Sequence, residues 1–208
     1  MKHERIDRRN FLKQASTAAI VVPTIVFGMS ALGGCSNEKV MAENVGPLSW
    51  KSQITNGTEP GEPMIISGTI FGLDGKTPLK SATLSVYHTD ARGNYSPSVS
   101  GDNKTTRLRG KMTTGGDGRY EFRTIKPASY PNSTVTAHVH AYVVAEGIRE
   151  YWIDNYVFEG DPFMSEADRQ RLSSAGNFSS LIKLTRGSDG ISRGSRDIRV
   201  ENCSTQCV

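Results

Sequence analysis

From residue 64 onward, apolar residues come in short runs broken by turn signals, without the i, i+3, i+4 recurrence of an amphipathic helix. Residues 64–71 read MIISGTIF, a β-branched run that predicts a strand, and Asp74-Gly75 supplies a turn. Residues 82–87, ATLSVY, alternate apolar and polar with the period of two that suits a half-buried strand. Asp117-Gly118 opens a second such unit, which sets Tyr120, Phe122 and Thr124 on one face. Residues 137–144 and the aromatic-rich 151–158 are further strands, and 181–184 and 197–200 are expected to close the sheets. Only 165–171 reads as helical, with Ser165 as the cap and Asp168 at the capping-box position. Many short strands with Gly and Pro turns predict an all-β fold, a single β-sandwich of mostly antiparallel strands.

The beginning of the chain has a different pattern. Its one long apolar run, residues 18–32, is interrupted by Pro23 and Gly28 and comes after a charged head. Arg8-Arg9-Asn10-Phe11-Leu12-Lys13 resembles a twin-arginine export signal, and Leu32-Gly33-Gly34-Cys35 resembles a bacterial lipobox. The resemblance implies handling by the twin-arginine export machinery, lipidation of Cys35, and a protein tethered to a bacterial membrane on its periplasmic or cell-surface side. An uncleaved transmembrane anchor is the alternative, for which the apolar run is short. The expected organisation is a signal over 1–34, a tether over 35–60 rich in Asn, Glu, Gly, Pro and Ser, a sandwich over 61–202 and a tail over 203–208.

Composition changes this picture only after it is divided. The 208-residue chain carries a formal charge of +4, but residues 1–34 hold five cations against two carboxylates. The remainder of the chain is close to neutral, so the basicity implies no nucleic-acid partner. The three cysteines divide in the same way: Cys35 is the lipid site, leaving Cys203 and Cys207 as a disulfide or two free thiols. A polytopic membrane protein and a collagen-like chain are both excluded by composition.

The candidate chemistry lies between residues 87 and 140. His138 and His140 are separated by one residue on a predicted strand, so both project to one face with a rise of about 6.8 Å between them. H-x-H alone also fits surface or structural histidines. Tyr130, before Pro131, and Tyr95, after Gly93-Asn94, would each read alone as a turn or packing tyrosine. Taken together, two phenol oxygens and two imidazoles form a hard donor set. Phenols ionise near pH 10, so phenolate ligands call for a strongly Lewis-acidic cation, and the set favours Fe(III) over zinc or Cu(I).

These motifs stand in an order that resembles the intradiol ring-cleavage dioxygenases. The likeness runs over about 61–202 and rests on Tyr87-His88-Thr89-Asp90-Ala91-Arg92-Gly93-Asn94-Tyr95-Ser96, Leu108-Arg109-Gly110, DGRYEFRTIKP over 117–127, Tyr130-Pro131, His138-Val139-His140 and Phe158-Glu159-Gly160-Asp161-Pro162. It implies a non-haem Fe(III) centre held by Tyr95 and His138 in equatorial positions and by Tyr130 and His140 in axial ones. It also implies that O2 opens a catechol between its two hydroxyls to give a muconate-type diacid. Tyr130 is the ligand expected to swing away and take a catechol proton. Asn155 stands where relatives place a polar amide in the pocket. His88 matches a common family position, for which a structural role near the site is preferred. Trp152, Tyr151 and Tyr156 are candidates for an aromatic pocket, with core packing as the default. One departure from the pattern is Val135, where relatives carry an arginine three residues before the first histidine; Arg107, Arg109 and Arg123 are the cations available in its place. The rival to an enzyme is therefore a non-catalytic catechol-binding, iron-binding or interaction sandwich on the same scaffold.

Overall fold

The computed structural model describes residues 49–95 and 103–201. The proposed signal, Cys35, Cys203 and Cys207 lie outside the described residues.

Two sheets face each other. The first contains β1 (Lys51–Gln53), β5 (Arg119–Ile125), β2 (Pro63–Phe71), β10 (Ser192–Ser195) and β9 (Thr185–Arg186) in that order, with β11 (Ile198–Arg199) pairing the far end of β2. The second runs β4 (Arg109–Thr113), β3 (Thr83–His88), β6 (His138–Ala145), β7 (Ile148–Phe158), β8 (Leu181–Ile182). The long pairings, β2 with β5, β3 with β4 and β6, and β6 with β7, are antiparallel; short edge strands add the parallel ones. The predicted sandwich is therefore observed. Lys51–Gln53, assigned to the tether by composition, forms β1 against β5, so the folded body takes in part of that stretch. Edge strands as short as β1 and β9 leave too little periodicity to read from sequence.

Alternation decides what lies between the sheets. Ile66 and Ile70 from β2, Tyr120 and Phe122 from β5, Leu84 and Val86 from β3, and Val139, Ala141 and Val143 from β6 are all at most 1% exposed. The helix α1 (Glu166–Ser173) starts as predicted, with the Ser165 hydroxyl accepting from the Asp168 amide, but buries no residue. Because i and i+2 share a face, burial of Val139, Ala141 and Val143 turns His138, His140 and Tyr142 to the outer face of the second sheet.

Candidate metal centre

Two loops bring the tyrosines to that outer face. The turn after β3 is held by Asp90, whose carboxylate accepts from the amides of Arg92 and Asn94. It is tied to the loop after β5 by the Thr89 hydroxyl donating to the Ala128 carbonyl (2.8 Å) and the Ala128 amide to that of Asp90 (3.1 Å). Gly93 makes the close approach possible: its φ is +81°, and a Cβ there would fall 1.9 Å from the Ser129 carbonyl oxygen. Tyr95 follows the first turn and Tyr130 lies on the second loop, and their hydroxyls meet at 2.8 Å.

Both histidines reach the same point. The Tyr130 hydroxyl lies 3.1 Å from His138 Nε2 and 3.2 Å from His140 Nε2, and the two Nε2 atoms are 3.1 Å apart. The opposite ring nitrogens are fixed. His138 Nδ1 lies 2.7 Å from the Thr136 carbonyl, which can only accept, so that nitrogen carries the proton. His140 Nδ1 donates in the same way to Asn155 Oδ1 at 3.1 Å. Each Nε2 therefore presents a lone pair to the other. Tyr95 can donate to Tyr130 and Tyr130 to one Nε2, which leaves the second imidazole lone pair without a proton. A cation among these atoms resolves that conflict, and donors about 2.0–2.2 Å from a common first-row metal sit about 3 Å apart, as Tyr130 does from the other three and the two Nε2 atoms from each other. The residues present fit a metal, and the hard phenol oxygens fit a ferric one. Among the described residues no group of three His, Cys, Asp or Glu side chains gathers to hold an ion, so any donor set here needs the tyrosines.

Electrostatics agree with the donor geometry. Burial, and then the neighbouring Tyr130 hydroxyl, push the Tyr95 phenol far above its usual range, so it ionises only beside a strong cation. Burial, with His138 alongside, lowers His140 to about 4, keeping its imidazole neutral at physiological pH.

Around the cluster, the Tyr87 ring stacks on His140 (4.6 Å, 24°) and Trp152 meets the same imidazole edge-on at 6.0 Å. Trp152 thus lies beside the site, whereas Tyr151 and Tyr156 are buried. His88 is fully buried, its Nδ1 donating to the Thr89 carbonyl and its Nε2 accepting from Thr124, both at 2.7 Å, so both ring nitrogens are engaged within the core. The cations proposed to replace the missing arginine are otherwise engaged. Arg107 forks onto Glu59, Arg123 meets Glu121, and Arg109 donates to the Thr105 and Thr106 carbonyls, although its register opposite Tyr87 keeps it on the site's sheet face. Val135 is 47% exposed.

Three contributors lie beyond the residues that sequence reasoning singles out. Asp161 is buried and accepts from the Ala137 amide, pinning the start of β6; the sequence shows it only within the family-like segment 158–162, with no role attached. The Thr136 carbonyl is backbone and carries no signal. Tyr87 reads from sequence only as a strand residue at the head of a motif. A cavity of about 250 Å³ beside β7 is lined by Thr136, Asp154, Asn155, Ser180 and side chains of α1, behind the histidines, and none of the four clustered residues lines it.

The β-sandwich thus gathers two tyrosines and two histidines on the outer face of one sheet, a donor set that fits a metal. A family model described as Dioxygenase matches residues 49–186. The chain is 34% identical over 126 residues to catechol 1,2-dioxygenase 1 of Acinetobacter lwoffii, a match that covers 52% of this chain and 40% of that protein. It is 30% identical over 156 residues to the protocatechuate 3,4-dioxygenase beta chain of Burkholderia cepacia, covering 64% of this chain and 65% of that one. The dioxygenase domain of a dioxygenase carbohydrate-binding protein fusion from Streptomyces sp. SirexAA-E superposes with a TM-score of 0.55 at 25% identity, over 78% of this chain and 96% of that one. The catechol 1,2-dioxygenase of Pseudomonas arvilla C-1 shares the fold, with a TM-score of 0.58 at 23% identity, over 76% of this chain and 58% of that one. The chain belongs to the intradiol ring-cleavage dioxygenase family. It spans 40% to 65% of the length of the two curated relatives.

Proposed function

We propose that this protein is a non-haem Fe(III) dioxygenase that opens a catechol-type ring with O2 to a muconate-type diacid. The observation that carries the reading is the facing pair of imidazole lone pairs, 3.1 Å apart and closed off by two phenol hydroxyls. Tyr95, Tyr130, His138 and His140 would hold the iron. Bound there, ferric iron would supply the Lewis acidity that favours loss of the catechol protons and makes the ring reactive toward O2. Tyr130 Oη lies within 3.2 Å of the other three donors; as a phenolate released from the cluster it would accept a catechol proton. Asn155 keeps the His140 Nε2 lone pair aimed at the cluster by holding its Nδ1 proton. Trp152, half-buried beside His140, offers its ring to an aromatic substrate, while Tyr87 is buried and backs the same imidazole.

A second reading has its own support. Val135 puts an alkyl group where relatives carry an arginine, and Arg107 and Arg123 are held in ion pairs. A preorganised charge lost from a reacting centre commonly slows a reaction about 10²–10³-fold. A protein that binds iron and catechol without rapid turnover is consistent with that substitution.

One preparation separates the readings. Reconstituted with ferric iron, the protein should turn burgundy from tyrosinate-to-Fe(III) charge transfer, and anaerobic catechol should shift the band. Tyr130→Phe and His138→Ala should change or abolish it. Oxygen uptake across a panel of catechols supports the enzyme; colour without uptake supports the binding protein. A colourless, iron-free product overturns both.

The same proposal places the protein outside the cytoplasmic membrane, exported through the twin-arginine machinery and anchored through lipid on Cys35, by the resemblance of residues 1–35 to such signals. Cys35→Ser should move it from the membrane fraction to the soluble one, and retention in the membrane would count against the anchor.

A further inference from the structure

Opposite His140, the ladder between β6 and β7 loses step. Val139 pairs with Tyr156 and Ala141 with Ile153, so one residue of β6, His140, faces two of β7, Asp154 and Asn155. An extra residue of this kind bends the strand and re-aims its side chains. Here it interrupts the alternation of β7: Ile153 packs toward the core, Tyr156 is buried, and the two residues between them are left on the outer side. Asn155 is thereby brought onto the face of His140, within 3.1 Å of its Nδ1.

A bulge also takes a carbonyl out of the ladder. The Asp154 carbonyl accepts instead from Arg196 Nη1 at 2.7 Å. Arg196 is 6% exposed, its guanidinium lies 4.6 Å from the Tyr156 ring centroid, and its Nε has no acceptor. Removing a guanidinium from water is costly, and an apolar side chain would fill the space without that penalty. Its backbone is as firmly held: the Arg196 amide donates to the Ser67 carbonyl (2.9 Å), and its carbonyl accepts from the Tyr120 hydroxyl (2.7 Å), itself met by that of Tyr156 (2.9 Å). Gly68 permits the approach, since a Cβ there would sit 1.8 Å from the Arg196 carbonyl oxygen. Arg196 is thus anchored on the first sheet and reaches across to the second.

The geometry points to Arg196 as a positioning residue for the metal centre. By holding the Asp154 carbonyl it fixes the peptide plane between Asp154 and Asn155. That plane sets where Asn155 Oδ1 stands, and Oδ1 keeps the proton on His140 Nδ1. The guanidinium touches neither substrate nor metal; it acts through the bulge and Asn155. The consequence for iron rests on His140 being a ligand, as in the proposed function. The tautomer does not, so the two can fail separately.

The test reads the tautomer in metal-free protein. Long-range ¹⁵N–¹H correlation spectra of the full chain with ¹⁵N-labelled histidine should show His140 as a single Nδ1–H species near neutral pH. Arg196→Met removes the donor and should give a mixture with Nε2–H while the dispersed spectrum of a folded sandwich persists. If the methionine variant does not fold, Arg196→Gln, which stays polar but is too short to reach the Asp154 carbonyl, is read in its place with the same expectation. Arg196→Lys keeps a donor of similar reach and should restore the single species. Ferric iron affinity, titrated through the tyrosinate band, should fall about 10- to 100-fold in the methionine or glutamine variant. An unchanged His140 tautomer in a folded Met or Gln variant overturns the proposal. So does a lysine variant that loses the tautomer as fully as methionine, or a wild-type His140 that already carries its proton on Nε2. A wild-type protein that binds no iron but shows these tautomer changes overturns the iron reading and leaves the positioning role standing.

Discussion

Strand β6 carries two different regions of the molecule on its two faces. Inward, Val139, Ala141 and Val143 are fully buried against the opposite sheet, and each is interchangeable in kind with many apolar residues of similar volume. Outward, His138 and His140 each have one nitrogen held by a specific acceptor and the other in a cluster of donors about 3 Å apart. The inner face depends on non-directional burial summed over many contacts, whereas the outer face depends on individual atoms and on backbone irregularities that place them. Damage should therefore separate: core substitutions should lower stability and spare the geometry of whatever remains folded, and site substitutions should do the reverse.

The largest effect is expected from the core. Phe122 is fully buried, with Tyr120 stacked at 6.5 Å and Tyr156 edge-on at 5.6 Å. Phe122→Ala should lower the unfolding free energy by about 3–5 kcal/mol, measured by chemical denaturation. The fraction still folded should bind iron with wild-type colour; a colour change at constant folded fraction would show that the two faces of the sandwich are coupled. Next comes a buried histidine that belongs to the core. Burial lowers His88 to about 4, with both ring nitrogens already bonded, while in the unfolded chain it titrates near 6.5. Above pH 6.5 both states are neutral and the contribution is intact. As pH falls from 6.5 toward 4, the unfolded chain takes up a proton that the folded one refuses, and stability declines by up to ~3 kcal/mol. Denaturation midpoints of wild type and His88→Gln across that window should converge at low pH; parallel curves would remove His88 as the cause.

The same division explains what was legible in the sequence. Burial of one face leaves a period of two, so β2, β3, β5, β6 and β7 were readable from runs such as ATLSVY, and the Ser165 cap from a side chain with a single local job. The four clustered residues were legible because donor chemistry is written in residue type and because their order resembles a family. What holds them was not legible. The acceptor of the His138 proton is a backbone carbonyl, the bulge at Asp154 and Asn155 arises from two strands slipping against each other, and Arg196 acts from the opposite sheet, 56 residues beyond His140. None of these leaves a local pattern. Strand β1 escapes sequence reading for a related reason: three residues alternating between exposed and half-buried look like linker until their partner, β5, is known.

The mildest change in stability should fall on the site side of the comparison and have the more selective consequence. Gly93 sits with φ +81° in the turn that delivers Tyr95, against the carbonyl of Ser129, the residue before Tyr130. An alanine there faces two objections at once. The left-handed backbone disfavours a Cβ by about 1–2 kcal/mol, and the Cβ would lie 1.9 Å from a backbone oxygen that has no rotamer by which to yield. The turn and the Ser129 loop must move apart. The hydrogen bonds between Thr89, Asp90 and Ala128 resist that movement, so the strain passes to the residues just beyond the contact, where the phenols of Tyr95 and Tyr130 meet. Gly93→Ala should therefore lower stability by only about 1–3 kcal/mol, less than the loss of Phe122, yet weaken or shift the tyrosinate band far more than the core variant does. Unfolding free energy and the visible spectrum of the iron-loaded protein, measured on both variants, decide the matter: if Gly93→Ala leaves the spectrum unchanged, the contact between the two loops does not set the distance between the tyrosines.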